Sequence, residues 1–255
     1  MTGATGVYLY GVTKVGDQLA LDEPPISGPG PVYTISHGGL AAVVSDGVLP
    51  RYELTRRNIR GHETVVEAVM RTSDILPAPM GVVMPSPASV VAELLDKRHD
   101  ELDCLLARVC GRVEFGLKVS WTDLRRVFRE IVAGDPSLRA HRDRLGRSPG
   151  AVTYKARMSL GDQAARALEE KRAREADELV AALEAHASGV RRNDPVGELM
   201  VLNSAFLIER ARVAKFEAAV ACLDGQDSER LGFLLAGPLP PYNFVSLHGE
   251  RRWDS

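Results

Sequence analysis

Val113-Glu114-Phe115-Gly116-Leu117-Lys118-Val119-Ser120-Trp121 is the stretch that decides how this chain is read. Large apolar residues at 113, 115, 117, 119 and 121 alternate with polar or small ones. An extended strand with that period buries one side only. Downstream, apolar spacing predicts helices at about 122–132 and 136–145 and a long helix at about 152–187. Strands are expected at about 190–196, 199–209 and 230–236, with a helix at about 211–223 before the last. The order from residue 113 is β-α-β-β-α-β with an enlarged first crossover, the split βαβ or ferredoxin-like arrangement. Such a unit is an antiparallel sheet with helices on one face.

Upstream, Tyr8, Tyr10 and Val12 alternate with Val7 and Leu9, a buried strand by residue type. Pro24, Pro25, Gly28, Pro29, Gly30 and Pro31 mark a loop. Val32–Ser36 and Leu40–Ser45 flank His37-Gly38-Gly39, a hairpin signal. A helix is expected over about 54–70, entered after Pro50, with Ile59, Val66 and Val69 as its apolar stripe and His62 on the margin. Ile75-Leu76-Pro77 begins an extended segment. Ser86 then reads as an N-cap with Pro87 at the first helical position, opening a helix to about Val109 that Gly111 stops. The fold class expected is α+β. An N-terminal α/β domain covers 1–111, a ferredoxin-like domain 112–237, and a Pro-rich C-terminal tail 238–255.

Composition narrows the function. In 255 residues the charged fraction is 26%, the apolar fraction 45% and the formal net charge −2, ordinary for a soluble globular chain. Nothing here is the basic footprint of a nucleic-acid binder, so no nucleic-acid partner is expected. Only six of the 32 basic residues are Lys. Arg forks suit interfaces, and a GC-rich genome gives the same bias. Cys104, Cys110 and Cys222 lack metal or redox spacing; Cys104 and Cys110 read as small buried hydrophobes, and a reducing cytoplasm fits. Met1–Thr5 has neither a basic nor an apolar leader region, so no signal peptide is expected. No run of about 20 apolar residues exists, so no membrane span or lipid partner is expected either.

Chemistry-bearing motifs are scarce. The chain has no G-x-S-x-G elbow, Walker A loop or H-E-x-x-H. His37-Gly38-Gly39 reads as a turn rather than an oxyanion strand. His62 reads as a helix histidine making an ordinary hydrogen bond, since Glu63 lies about 100° around the helix from it. Asp96, Asp100, Glu101 and Asp103 read as a solvated helix face. No catalytic group, cofactor or metal is assigned. The long helix packs an Ala/Leu stripe and carries charge on its other face, where Arg166, Arg172 and Arg174 are available as anchors for a protein partner. After the apolar run Leu231–Ala236 comes Gly237-Pro238-Leu239-Pro240-Pro241-Tyr242-Asn243-Phe244-Val245, where the prolines are expected to end the strand. In an extended chain Tyr242 and Phe244 project to one side. Two readings stand. The rings plug a groove on the chain's own core, or Pro238, Pro240, Pro241, Tyr242, Asn243 and Phe244 dock another protein.

That nonapeptide resembles the carboxy-terminal signature of the gas vesicle GvpF/GvpL family, with Leu239 where the family has Trp. Ile75-Leu76-Pro77-Ala78-Pro79-Met80-Gly81-Val82-Val83 resembles a mid-chain family segment, with Pro79 and Met80 replacing Arg and Phe. Gly6–Val12 resembles the opening strand, His62–Glu67 the first long helix and Leu202–Ile208 a late strand. The resemblance implies an N-terminal α/β domain, a ferredoxin-like domain and a short tail. It also implies a non-enzymatic accessory or minor shell protein, cytoplasmic and vesicle-associated. Such a protein contacts the small, very apolar shell subunit during nucleation and limits its aggregation, alongside other vesicle accessory proteins. The other reading is a small-molecule enzyme or sensor on a ferredoxin-like fold.

Overall fold

The computed structural model describes residues 5–16, 21–26, 30–48, 53–147, 154–245 and 247. The loop residues Gly28 and Pro29, Pro50, and the tail beyond Leu247 lie outside them. The fold is α+β, in two compact units. The first holds residues up to Phe115, Leu207–Arg210 and the chain from Gly237; the second holds Gly116–Phe206 and Ala211–Ala236.

The first unit is built on a five-stranded antiparallel sheet. Its strands are β1 (Thr5–Lys14), β2 (Val32–His37), β3 (Leu40–Val48), β4 (Leu76–Pro77) and β5 (Val83–Met84), in the order β2-β3-β1-β4 with β5 also on β1. Gly38 and Gly39 turn the β2–β3 hairpin with φ of +58° and +87°. Two successive left-handed residues match the twist of paired strands, and Gly takes that conformation without Cβ strain. The β1–β3 register slips between Leu9 and Gly11. A bulge shifts the alternation by one, so Val12 rejoins Val7 and Leu9 on the face that packs Val90, Leu94, Leu102 and Leu106.

Helix α1 (Arg56–Thr72) is capped by the Thr55 hydroxyl, which accepts from the Asn58 amide at 3.2 Å. It buries His62, Val65, Val66 and Val69, while Ile59 is exposed. His62 is therefore core rather than margin. Ser86 caps α2 (Pro87–Ser89) in a reciprocal box with Ser89, as its sequence predicts. The helix expected from there to Val109 is divided. A π-helical run, Val90–Asp96, precedes a break at 97–98, and α3 (His99–Val109) follows. All three cysteines are exposed, which corrects the buried reading of Cys104 and Cys110.

The second sheet has β6 (Arg112–Trp121), β7 (Gly189–Arg192), β8 (Met200–Glu209) and β9 (Leu231–Leu239) in the order β7-β8-β6-β9. In the second unit it is accompanied by α4 (Leu124–Gly134), α5 (Pro136–Arg147), α6 (Tyr154–Glu184) and α7 (Val213–Asp227). The odd residues of β6 are buried as the alternation requires. Trp121 is pinned there. Its indole N–H donates to Glu175 at 2.7 Å, and the Arg172 guanidinium lies 5.5 Å from its ring centre. Glu175 accepts from Arg230 and pairs with Lys171 at 3.0 Å, and both cations also reach Glu130. Burial raises the Glu130 pKa, but Lys171 and Arg230 outweigh it and hold the carboxyl below its ordinary range. Met158, placed on the apolar stripe of the long helix by spacing, is exposed, whereas Leu168, Leu179 and Leu183 are buried.

One expectation fails at the C-terminus. The prolines do not end the last strand at residue 236, because β9 continues through Gly237 and Pro238 to Leu239. β9 is an edge strand, the position in a sheet where proline is accommodated.

Candidate functional site

In the first unit the segment after β9 forms a clasp. Gly237 has φ +155°, and a Cβ there would lie 2.5 Å from the Phe115 ring, so the close approach requires glycine. Pro240 and Pro241 are buried. The backbone then turns. The Tyr242 N–H donates to the Pro240 carbonyl at 2.8 Å, and the Phe244 N–H to that of Pro241 at 3.1 Å. Tyr242 and Phe244 are thus in a turn, not in an extended chain with both rings on one side.

Asn243 fixes the turn to β6. Its backbone N–H and side-chain amide donate to the two oxygens of Glu114, at 2.8 and 2.6 Å. Glu114 is 3% exposed. Burial pushes its pKa up, and the two bonds from Asn243 pull against that shift. Farther along, Leu247 is buried in the core cluster with Val245 against it, and Arg98 donates to the Leu247 carbonyl. Tyr242 lies beside His62, ring centres 6.5 Å apart, and its buried hydroxyl meets no hydrogen-bond partner. Its pKa is raised, chiefly by burial and next by the Glu63 charge.

Beneath the clasp is a polar network inside the core. His62 Nε2 bonds the Ala78 carbonyl at 3.0 Å, and Nδ1 bonds the Tyr8 hydroxyl at 2.9 Å. A carbonyl only accepts, so Nε2 carries the proton and Tyr8 donates to Nδ1. Tyr8 accepts in turn from the Gly81 N–H at 3.1 Å. Tyr10 stacks on His62, and its hydroxyl meets Ser45 and the Ile26 N–H. Burial brings the His62 pKa down to about 4, against a smaller rise from Ala78. The imidazole is neutral and fully engaged, which makes it a structural group.

The second unit carries a different surface. Arg166 and Arg174 are exposed on α6, but Arg172 is turned inward. It donates to Glu169 at 2.5 Å and to the Glu198 carbonyl at 2.8 Å. That second bond ties α6 to the loop between β7 and β8, where Val196 is 73% and Leu199 43% exposed. A groove of about 220 Å³ runs beside it, lined by Arg172, Ala176, Arg192, Pro195, Val201 and Asn203. Sequence spacing groups the three arginines, yet only two remain available at the surface. Val196 and Leu199 carry no period that singles them out. Glu114 reads in sequence as one more polar position of an alternating strand.

Among the described residues no three His, Cys, Asp or Glu side chains converge as a metal would need, and no helix is long and apolar enough to cross a membrane. Of the three departures in the motif segments, Pro79 is exposed and Met80 and Leu239 are half-buried.

Residues 6–246 match the family described as gas vesicle synthesis protein GvpL/GvpF. Gas vesicle protein F of Streptomyces sp. (strain CB03234) is 31% identical over 243 residues, spanning 93% of this chain and 98% of that protein. Gas vesicle protein L of the same strain is 29% identical, spanning 95% and 94%. The crystal structure of gas vesicle protein GvpF from Anabaena sp. PCC7120 superposes with a TM-score of 0.81 at 25% identity, covering 96% of this chain and all of that one.

Proposed function

This chain belongs to the GvpL/GvpF family of gas vesicle synthesis proteins, and from that premise we propose that it works by contact during vesicle assembly. In this reading it is a cytoplasmic, vesicle-associated accessory or minor structural protein. It binds the small apolar shell subunit, assists nucleation and limits aggregation; other vesicle accessory proteins are further partners. The strand order β7-β8-β6-β9 supports reading 112–237 as a ferredoxin-like domain with an enlarged first crossover, between an N-terminal domain at 1–111 and a tail at 238–255.

The observation that carries the proposal is the exposed apolar pair Val196 and Leu199 on a loop held against α6 by Arg172. A partner of an apolar subunit needs apolar surface on an otherwise charged body. Arg172 fixes the shape of that surface, and Arg166 and Arg174, exposed elsewhere on α6, are assigned as further polar anchors for a protein partner. In the tail, Pro238 and Asn243 are exposed and Phe244 is half-buried, and these are assigned to contact as well. Pro240, Pro241 and Tyr242 hold the tail in place. The alternative, a small-molecule enzyme or sensor, is not favoured by relatives named gas vesicle proteins F and L.

The test is light scattering of the shell subunit diluted from denaturant. The chain slows the rise in scattering, and the double variant Val196→Glu, Leu199→Glu, still folded, does not. Equal scattering with and without the wild-type chain refutes the proposal.

A further inference from the structure

We infer that β9 pairs edge to edge with β9 of a second copy of this chain, antiparallel about a two-fold axis. The four-stranded sheet ends at β7 on one side and at β9 on the other, and these edges differ in kind. β7 has four residues, and its last two are the exposed Arg191 and Arg192, the latter paired with Asp177 at 2.5 Å. A short, charged strand is a guarded edge. The stretch Leu231-Gly232-Phe233-Leu234-Leu235-Ala236 of β9 has no charge and no proline. Leu234 is 63% exposed, and Gly232 and Ala236 are exposed beside it. This six-residue stretch, with Pro238 only beyond it, is a template for another strand.

Its own sequence indicates the occupant. In antiparallel pairing about a two-fold axis normal to the sheet, residues that face each other share a face. The register must therefore be centred on a residue. Centred on Leu234, it sets Leu234 against the second copy's Leu234, Phe233 against the second copy's Leu235, and Gly232 against the second copy's Ala236. Large residues meet large and small meets small, and no like charges oppose each other. The exposed Leu234 is covered by its own copy. Because the β7 edge is guarded, association closes at two copies instead of running on into a fibre.

Sedimentation velocity of the full chain from low to high micromolar concentration tests this. A monomer–dimer equilibrium is expected, with slower amide exchange at 231–236 as the dimer fills. Leu234→Lys sets two like charges against each other at an exposed position and weakens association by about tenfold or more, while the melting curve at concentrations where both chains are monomeric is unchanged. A wild-type chain that stays monomeric throughout, or a dimer that Leu234→Lys leaves intact, overturns the inference. Binding of the shell subunit is read in a separate assay, so either proposal fails without the other.

Discussion

Asn243 gives its backbone N–H and its side-chain amide N–H to the two oxygens of Glu114, at 2.8 and 2.6 Å, across 129 positions of sequence. The paired donors suit an ionised carboxylate, which offers acceptors only. They hold the Pro-rich turn on the first unit. Glu114→Ala removes two charge-assisted bonds, an expected loss of about 2–3 kcal/mol. Amide exchange over 242–245 should accelerate well ahead of exchange in β1 and β3. Unchanged exchange in the turn would show that the prolines hold it without Glu114.

The unpartnered Tyr242 hydroxyl separates ring from oxygen. Tyr242→Phe removes a buried polar atom that has no partner and keeps the ring, so stability should hold or rise by up to about 1–2 kcal/mol. Tyr242→Ala removes the ring beside His62 and should cost about 2–4 kcal/mol. Equal destabilisation by both substitutions, read from denaturant midpoints, would mean that the hydroxyl is bonded.

His62 makes stability depend on pH. Its folded pKa of about 4 lies below the ordinary histidine value of 6.5. Between those values the unfolded chain binds the proton and the folded chain does not, so stability rises with pH. The contribution is complete above about 6.5 and is lost as pH falls towards 4, about 3 kcal/mol in all. His62→Gln should flatten that part of the stability profile whatever it does to the midpoint. An identical slope in wild type and variant would place the titration elsewhere.

Glu175 joins Trp121, Lys171 and Arg230. Glu175→Ala leaves two half-buried cations without that partner and frees the indole N–H. A loss of about 2–4 kcal/mol is expected, with a shift in Trp121 fluorescence. A full-strength melt with unchanged emission would show the network to be incidental.

Much of this fold was legible because it rests on short-range periodicity. The alternation at 113–121 gives β6, Gly38-Gly39 gives the hairpin, and Ser86-Pro87 gives the helix start. The errors arise where distant contacts decide. His62 reads as marginal on α1 because its partners Tyr8 and Ala78 come from other elements. Pro238 reads as a stop because strand position is invisible locally; an edge is where a sheet accommodates proline. Arg172 reads as one of three surface anchors until Trp121 and Glu198 turn it inward. Glu114 was silent for the same reason, since its partner lies at the far end of the chain.

The account rests on physical contact with an apolar shell subunit. Co-expression of the tagged chain with that subunit, followed by affinity purification, measures this directly. The account predicts that the two co-purify, and that Val196→Glu with Leu199→Glu releases the subunit while the chain stays folded. Recovery of folded wild-type chain with no shell subunit bound would contradict it.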